Sequence, residues 1–496
     1  DLARSRGLGD VYKRQLIAIL STFVFSSSNV QPNFVIIYVD DMGYADIGKF
    51  QDEKISTPNL DVMASNGQTW TNFYASSSVC TPSRAGLLTG MLPVRNGLYG
   101  DQIAVFFPGS KTGIPKNQLT LAEVFQTNGY ATGIFGKWHL GDAEEFLPTR
   151  HGFDEYIGIP YSNDMDWNVN GITFDKLISR PDLYAEYAKI SSVITEQIFN
   201  PNIQDWNVPL LRSIKMSDGY TDEVLERPAD QELITKNYTE YSINFLEQSV
   251  KNNKPFFLFL SHSMPHVPLF RSEDFVDKSK LGIYGDVIEE IDWSVGQIVT
   301  KLKKLNQIDN TYIIFTSDNG PWLLYGPHGG KAKPLRSGKG TTFEGGMRVM
   351  TIISGPNVKK GIIDDIGSQT DIFKTFLSLA NIKSDFNSID SFDLSETIKD
   401  GRPSMRKFIP YFVGSELRAF RYKDHKIHFV TQGAYNMPPP REVHKNPLLY
   451  NLSNDIGETR DISDVDKKTL EFLIVQSDLF KKDLVIKKSI VDSQFQ

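Results

Sequence analysis

The segment NFVIIYVDD, residues 33–41, joins a nearly continuous apolar run to two aspartates. An apolar run of this length is typical of a strand buried on both faces, as in a parallel sheet. Similar runs occur at 131–136 (ATGIFG), 254–261 (KPFFLFLS), 311–317 (TYIIFTS) and 349–354 (VMTIIS). The segment therefore predicts one strand of a large buried sheet, to which the later runs also contribute.

Helical patterns lie between these runs. Thr57–Gly67 has a proline at its first helical position and a glycine past its end, and Leu121–Tyr130 and Asp286–Leu305 are further predicted helices. Alternating strands and helices predict an α/β fold in which helices sandwich a mostly parallel sheet. Tyr161–Lys236 is irregular and rich in polar and aromatic residues, and we interpret it as a long insertion or lid.

The pattern changes after Leu379. The segments FIPYFV, LRAFRYKDHKIHFV and PLLYNLSN are typical of short antiparallel strands, and a helix is predicted near Lys468–Lys481. We therefore predict a main domain over residues 31–385 and a smaller α+β domain with an antiparallel sheet over residues 386–496.

The first 28 residues are interpreted separately. Residues 1–15 show no apolar period, and we interpret them as an artefact or an upstream segment. Residues 16–28 combine the apolar run LIAILSTFVF with three serines, which predicts a signal peptide, with a buried strand as the alternative. The run is short for a bilayer, so we expect export without stable membrane insertion. The destination would be a periplasmic, extracellular or lysosome-like compartment, depending on the host.

Composition excludes some classes of function. The chain has 53 Lys and Arg against 60 Asp and Glu, a net charge of −7, which gives no electrostatic footprint for nucleic acid. A single cysteine excludes an intrachain disulfide, so stability must come from the core. The remaining composition is that of an ordinary globular protein.

Polar side chains follow four of the predicted strands. They are Asp40, Asp41, Lys137, His139, His262, His266, Asp318 and Asn319. Ligands bind outside the carboxyl ends of strands in open α/β sheets, so we expect these residues to converge on one crevice. The aspartates and the asparagine offer oxygen donors, which suit Ca²⁺ or Mg²⁺.

The lone cysteine lies in SSSVCTPSRAGLLTG, residues 76–90, just before a predicted helix. Backbone N–H groups and the helix dipole favour an anion there, and Arg84 is placed to bind the same anion. Sulfur is a poor ligand for a hard cation such as Ca²⁺ or Mg²⁺. A cation held by the carboxylates would therefore be better matched by an oxygen at position 80 than by the thiol of Cys80. The alternative is that Cys80 is a small buried hydrophobic residue.

The motif CTPSR with the following AGLLTG resembles the signature of the type I sulfatase family, in which the cysteine is oxidised to formylglycine. The segments GYATGIFGKWH, IIYVDDMGYADIG, FTSDNGP and GKGTTFEGGMR resemble other parts of that family. The resemblance covers most of Asn33–Gly355 and, more weakly, Leu417–Glu458, and is closest to the arylsulfatase A and N-acetylgalactosamine-6-sulfatase branch. It implies an alkaline-phosphatase-like fold.

The resemblance also implies a metal site and a modified residue. Formylglycine derived from Cys80 would, when hydrated, supply one oxygen that attacks sulfur and a second that allows sulfate to leave. The implied ligands of a Ca²⁺ ion, with Mg²⁺ less favoured, are Asp40, Asp41, Asp318, Asn319 and the modified Cys80. Arg84 would offset the charge of the metal site and orient the diol.

Five more residues take implied roles by matching position. Lys137 and Lys339 would bind sulfate oxygens, and Ser162 would contact the diol or the sulfate. His139 would take part in transferring the diol proton as sulfate is released. His266 would protonate or hydrogen-bond the leaving oxygen, with His262 as the second candidate.

The predicted function is hydrolysis of a sulfate ester on a carbohydrate or an aryl group, and we favour a sulfated saccharide. The expected partner is a formylglycine-generating or anaerobic maturation enzyme. Tyr161, Trp167 and Tyr184 are candidates for stacking on a sugar, with packing as the alternative. Two other functions stay open: a phosphatase or phosphonate hydrolase on the same type of sheet, and a non-catalytic binder of sulfated glycans with Cys80 unmodified.

Overall fold

The computed structural model describes residues 31–48, 55–169, 171–173, 176, 184–383 and 390–496. The predicted segments 1–15 and 16–28 lie outside the described residues, as does the predicted boundary between residues 385 and 386. Within the described ranges, none of the helices has the length and apolar character needed to cross a membrane.

In the described part of the chain, the strands assemble into one large sheet and two smaller ones. In chain order the strands are β1 (Asn33–Val39), β2 (Gln68–Tyr74), β3 (Ala131–Gly136), β4 (Glu155–Gly158), β5 (Asn168–Val169), β6 (Ile172–Thr173), β7 (Leu210–Met216), β8 (Gly219–Glu226), β9 (Phe256–Ser261), β10 (Thr311–Ser317), β11 (Arg348–Ser354), β12 (Gly361–Ser368), β13 (Phe408–Val413), β14 (Glu416–Tyr422), β15 (His425–Thr431) and β16 (Glu442–Asn451). Among the described residues the large sheet has the order β12-β2-β11-β10-β1-β9-β3-β4-β7-β8. Strands β13 to β16 form the second sheet in sequence order, and β5 pairs with β6.

Helices connect most of the strands. In chain order they are α1 (Pro58–Asn66), α2 (Cys80–Thr89), α3 (Pro93–Asn96), α4 (Leu121–Thr127), α5 (Tyr184–Phe199), α6 (Ile234–Lys251), α7 (Gly282–Lys304), α8 (Glu344–Met347), α9 (Asp371–Leu379), α10 (Ser395–Asp400) and α11 (Lys467–Lys482). The predicted helices after Thr57 and Thr120 are present, and Thr120 forms a capping box with Glu123.

The large sheet is covered on both faces. Alternate residues of β1 point to opposite sides: Ile37 and Val39 pack with residues of α1, α6 and α7, whereas Ile36 and Tyr38 pack with residues of α2, α4 and α9. All four side chains are fully buried, and burial of each of the three aliphatic ones stabilises the fold by about 1.5–3 kcal/mol. The predicted helix-sandwiched α/β fold is therefore confirmed.

The centre of the sheet is parallel and its strands end level with one another. β1 pairs in parallel with both β9 and β10, and β3 pairs in parallel with β9. Val39 is opposite Ser317, and Ser261 is opposite both Tyr38 and Gly136. The residues that follow these strands therefore leave the sheet at one edge. β11 is antiparallel to its neighbours, so the sheet is mixed but mostly parallel.

The segment interpreted as an irregular insertion contributes to the sheet. Within it, β7 and β8 form a hairpin that continues the large sheet in the antiparallel direction from β4. β8 is exposed along almost its whole length. An edge strand of this kind has no buried face and therefore shows no apolar period, which explains why the sequence did not reveal it.

The C-terminal part has the predicted architecture. β13 to β16 form an antiparallel meander, and α11 packs against β14 and β15 through Leu473. The helix spans Lys467–Lys482, one residue longer at each end than predicted. The second, smaller antiparallel sheet is thereby confirmed.

Candidate active site

The four central strands deliver their following residues to one point. The backbone N–H groups of Asp318 and His262 donate to Val39 O at 3.0 Å and Tyr38 O at 2.8 Å, and Lys137 N donates to Ser261 O at 2.7 Å. These bonds extend the sheet by one residue beyond each strand. The side chains that follow therefore begin from rigidly held backbone.

Backbone geometry turns two of these chain segments sharply. Gly136 has φ +123°, and a Cβ at this position would lie 1.7 Å from Ser261 O, so only glycine fits before Lys137. Asp41 and His139 both adopt φ +64°, which is uncommon for residues other than glycine. Such conformations concentrate at functional sites, where the surrounding structure holds them in place.

Cys80 is the first residue of α2 and lies beside a carboxylate. Its side chain is 1% exposed, and Sγ is 3.5 Å from Asp40 Oδ1. Burial raises the pKa of the Cys80 thiol well above its usual value, although Lys137 and Lys339 oppose the shift. The thiolate is the nucleophilic form of cysteine, so an unmodified Cys80 is poorly suited to attack a substrate.

Carboxylates crowd this thiol. One ligand atom from each of Asp40, Asp41, Cys80 and Asp318 lies within 4.8 Å of the others. Asp40 accepts from Lys137 Nζ at 2.5 Å. Burial alone would raise the pKa of Asp40, but the nearby positive charges, that of Lys137 above all, hold it well below its usual value.

The other two carboxylates are not fully compensated. Burial, reinforced by repulsion from Asp40, raises the pKa of Asp318 to about 7 even though Arg84 is adjacent. Burial also raises the pKa of Asp41, which Lys339 only partly opposes. Asn319 Oδ1 is buried and has no hydrogen-bond partner among the described residues. Crowded carboxylates beside a free amide oxygen form an oxygen-rich donor set that fits a hard divalent cation.

Arg84 is buried at the base of this group, where it is 1% exposed. Its Nε and Nη2 atoms donate to Asp318 Oδ2 at 3.2 and 3.0 Å. Nη1 donates to Lys137 O at 3.0 Å and to Ser261 Oγ at 2.8 Å. Arg84 therefore connects three of the strand ends and fixes the orientation of Asp318.

Two lysines approach the carboxylates. Lys137 Nζ donates to Ser162 Oγ as well as to Asp40, in both cases at 2.5 Å. Lys339 Nζ donates to Asp41 Oδ2 at 2.7 Å and lies 4.2 Å from the ring centroid of Trp322. The structure thus brings Lys137, Ser162 and Lys339 to the predicted site.

The structure separates the two histidine candidates. His266 Nε2 lies 3.5 Å from Asp41 Oδ2, whereas His262 Nε2 bonds to Ser294 Oγ of α7 at 3.1 Å. His266 therefore reaches the site and His262 faces a helix. His139 Nε2 bonds to Phe106 O at 2.9 Å, and its Nδ1 is buried with no partner among the described residues.

Both site histidines are held neutral. Burial lowers the pKa of His139 and of His266 well below the usual value, and the charges of Lys137 and Lys339, respectively, add to the effect. A carbonyl oxygen can only accept a hydrogen bond, so the proton lies on Nε2 of His139 and on Nδ1 of His266, which faces Val267 O at 2.6 Å. The free lone pairs are therefore on His139 Nδ1 and His266 Nε2.

The aromatic candidates have a different role. Tyr161 and Trp167 are 4% and 6% exposed and belong to the core on one face of the sheet. Packing therefore accounts for both, and neither ring offers a face to a sugar. The side chain of Tyr184 lies outside the described residues.

Sequence reasoning missed two residues of the site. Ser261 ends β9 and donates to Lys137 O at 2.7 Å while accepting from Arg84, so its position at a strand end was an available signal. Trp322 packs against Lys339 and His266. It follows SDNGP directly, but nothing in the sequence showed that its ring would turn toward Lys339.

Comparison with known proteins follows the same division of the chain. Residues 32–382 match the family described as Sulfatase, and residues 404–493 match the C-terminal region of aryl-sulfatase. Arylsulfatase A of Bos taurus is 35% identical over 471 residues, which cover 91% of this chain and 87% of that protein. N-acetylgalactosamine-6-sulfatase of Homo sapiens is 34% identical over 455 residues, which cover 86% and 80%.

A solved structure is also similar. The crystal structure of Ps i-CgsB in complex with k-i-k-neocarrahexaose has a TM-score of 0.72 and 28% identity to this chain. The match covers 92% of this chain and 94% of that one. The large sheet lies in the region that matches the Sulfatase family, and the C-terminal sheet lies in the region that matches the C-terminal region of aryl-sulfatase.

Proposed function

The chain belongs to the sulfatase family and is a sulfatase, and from this premise we propose that it removes sulfate from a carbohydrate by means of a formylglycine formed from Cys80 and a bound Ca²⁺. The observation that carries the proposal is the crowding of three carboxylates around a buried, protonated thiol. The protonated thiol is a poor nucleophile, and the crowded carboxylates repel one another. If an oxygen replaced the sulfur and a cation were bound, residue 80 would become a nucleophile and the carboxylates would become metal ligands.

The ligands that would hold Ca²⁺ are Asp40, Asp41, Asp318, Asn319 and the modified residue 80. Formylglycine and Ca²⁺ would supply a nucleophilic oxygen and a Lewis acid that activates it. Mg²⁺ fits less well because it demands nearly ideal octahedral geometry. The unpartnered Oδ1 of Asn319 and the raised pKa of Asp318 both favour binding of a cation at this point.

The lysines would bind the sulfate group. Lys137 and Lys339 lie against Asp40 and Asp41, and each is buried among polar groups. Fixed cations in a site that excludes water stabilise the charge that moves onto sulfate oxygens in the transition state. Ser162, held by Lys137, would add a hydroxyl to the same group of donors.

The histidines would move protons at defined atoms. The free lone pair of His139 is on Nδ1, which would take the proton released as sulfate leaves position 80. His266 would take up a proton at Nε2, beside Asp41, and pass it to the leaving oxygen of the alcohol. Positioned acid–base groups of this kind contribute about 10²–10⁴-fold to a rate.

A saccharide is the favoured substrate. N-acetylgalactosamine-6-sulfatase, a relative, is named for a sulfated sugar, and the similar solved structure holds k-i-k-neocarrahexaose. The apolar run in residues 16–28 further suggests export, which would place the enzyme where polysaccharides occur. We also infer that a formylglycine-generating or anaerobic maturation enzyme recognises the CTPSR motif and converts Cys80.

The test compares 4-nitrophenyl sulfate with 4-nitrophenyl phosphate and a panel of sulfated saccharides. The protein is co-expressed with a formylglycine-generating enzyme, the aldehyde at position 80 is confirmed by mass spectrometry, and Cys80→Ala is the control. Release of sulfate that disappears in the control is the expected result. Preferred cleavage of the phosphate would instead identify a phosphatase. An aldehyde-bearing enzyme that releases sulfate from none of these esters would overturn the proposal.

A further inference from the structure

Two aromatic rings from distant parts of the chain meet beside Lys339. Trp322 follows the end of β10, and Tyr435 lies in the loop between β15 and β16. Their ring centroids are 5.0 Å apart with an interplanar angle of 45°. Lys339 Nζ is 4.2 Å from the centroid of Trp322, and the ring of His266 is 5.2 Å from it. The rings therefore border the groups assigned to sulfate and to the leaving oxygen.

Tyr435 is held in an exposed position. Its side chain is 39% exposed, and both Tyr435 and the next residue, Asn436, have positive φ angles of 54° and 62°. The loop rests on Gly340, where a Cβ would lie 2.7 Å from the Cβ of Ala434 and 3.1 Å from the Tyr435 ring. Non-glycine residues in this backbone conformation are found at ligand clamps, where the surrounding structure imposes it.

A cavity lies beside the Tyr435 loop. Its volume is 170 Å³, and its lining includes Val79, Gly340 and Tyr435. Val79 and Gly340 are the chain neighbours of Cys80 and Lys339, so the cavity lies next to the backbone that carries these two residues.

Asp164 supplies an unused acceptor close to the same lysines. It lies two residues after Ser162, whose hydroxyl accepts from Lys137 Nζ. The residue between them, Asn163, donates from Nδ2 to Pro268 O at 3.0 Å, and this bond fixes the segment against the loop that carries His266. Asp164 Oδ1 is buried and has no hydrogen-bond partner among the described residues. Burial raises the pKa of Asp164 to about 6, while Lys339 and Lys137 draw it down, so both lysines lie within electrostatic reach.

We propose that Trp322, Tyr435 and Asp164 bind the sugar ring that carries the sulfate, and that this sugar is an uncharged hexose with free hydroxyl groups. The inference rests on the proposed function and specifies its substrate. Apolar sugar faces stack on aromatic rings, and the free carboxylate oxygen accepts from a sugar hydroxyl. A uronate or a second sulfate at this position would be repelled by Asp164, and a hydroxyl-free alcohol would leave Oδ1 unpaired.

The test uses matched esters that differ in hydroxyl groups. Methyl galactoside 2-, 3-, 4- and 6-sulfates are assayed first, and the isomer that reacts best is compared with a hydroxyl-free ester of the same class. That ester is cyclohexylmethyl sulfate for a primary position or cyclohexyl sulfate for a secondary one. Asp164→Asn should lower the ratio of kcat/KM for the sugar ester over the hydroxyl-free ester by about tenfold or more.

The aromatic part of the subsite is tested separately. Tyr435→Ala should raise KM for the sugar ester about tenfold, because stacking of a ring is lost, whereas Tyr435→Phe should restore it. Matched controls are Tyr220→Ala and Asp218→Asn in the exposed β7–β8 hairpin at the far edge of the sheet. Equal changes in the control variants would assign the effect to stability and overturn the subsite.

A binding measurement keeps this inference separate from the proposed chemistry. Cys80→Ala protein is titrated with the same esters, and the tryptophan fluorescence is followed. Preference for the sugar ester that weakens about tenfold on adding Asp164→Asn supports the subsite, even if the converted enzyme turns over none of the esters and the proposed function fails. Equal binding of sugar and hydroxyl-free esters, or tighter binding of a disulfated or uronate sugar, would overturn it.

Discussion

The central site can be compared with a second group of buried charges, which joins the large sheet to the C-terminal sheet. We call it the intersheet cluster; its members are Glu344, Arg348, Arg421, Lys426, His428 and Glu458. Both groups consist of buried ionisable side chains contributed by distant segments. They differ in whether those charges are balanced and hydrogen-bonded.

The intersheet cluster is well compensated. Glu344 accepts from Tyr74 and Tyr411 hydroxyls at 2.6 and 2.7 Å and from Lys426 Nζ at 2.9 Å. Burial alone would raise the pKa of Glu344, but the surrounding cations, that of Lys426 above all, hold it well below its usual value. The pKa of Glu458 is lowered in the same way, with Lys426 as the main opponent of burial.

The central site is not compensated to the same degree. Burial and mutual repulsion raise the pKa of Asp41 and of Asp318 there, and a buried amide oxygen has no partner among the described residues. The balanced cluster joins the two sheets, whereas the central site contains carboxylates whose negative charge is not fully offset. The two are also connected, because Glu344 N donates to Glu458 Oε2 at 2.7 Å and so anchors the segment that follows Lys339.

The largest effect is expected from breaking the balanced cluster. Glu344→Ala removes a buried carboxylate shared by Arg348, Arg421 and Lys426 and should lower the free energy of unfolding by about 3–5 kcal/mol, measured by urea denaturation. The control is Glu396→Ala, which removes a carboxylate that is 66% exposed and paired with Arg402, and should cost less than about 1 kcal/mol. Similar losses for the two variants would contradict the comparison.

The second effect concerns activity. Lys137→Ala should lower kcat on a sulfate ester by about 10²–10³-fold, because a cation placed against the reacting group is lost. Lys301→Ala, which removes a lysine paired with Glu247 on the surface of α7, is the matched control. The assay is sulfate release by the aldehyde-bearing enzyme. A raised KM with an unchanged kcat would instead show that Lys137 binds the substrate in the ground state and the transition state equally.

The third effect tests the proposed Ca²⁺ site without any turnover. Ca²⁺ at 100 times its Kd should stabilise the wild-type protein by about 2.7 kcal/mol, seen as a rise in Tm. Asp41→Asn should abolish most of this rise, and Asp218→Asn should leave it in place. An equal rise in both variants would mean that Ca²⁺ binds elsewhere on the chain.

The smallest effect is on the pH dependence of the free energy of unfolding, which should differ between the intersheet cluster and the central site. The pKa values of Glu344 and Glu458 are lowered, so their stabilisation is complete above the unfolded value of about 4.3 and is lost as the pH falls through the folded values. We expect a loss of about 1–2 kcal/mol between roughly pH 5 and 3, with a weaker slope in Glu458→Gln. Urea denaturation of the Ca²⁺-free protein at several pH values checks this.

Asp318 should act in the opposite direction. Its pKa is raised to about 7, so its contribution is complete below the unfolded value of about 3.9 and is lost as the pH rises toward 7. Asp318→Asn should remove that part of the pH dependence. A variant with an unchanged profile above pH 4 would contradict the uncompensated state of the central site.

Much of the central site could be predicted because its residues lie next to strongly patterned segments. Asp40, Lys137 and Asp318 each follow an apolar run, and parallel strands bring their carboxyl ends to one edge. Local sequence therefore determined the strands, the strand ends and the family resemblance around Cys80. The assigned chemical roles remain predictions for the experiments above.

Only the tertiary structure decided which of several chemically similar residues face the site. It directed His266 to Asp41 and His262 to Ser294, and it buried Tyr161 in the core. It also brought Trp322 against Tyr435, and Glu344 against Lys426. Such contacts depend on how the two sheets and their loops pack. No periodicity along the chain encodes that packing, whereas a buried strand records its environment in its own residues.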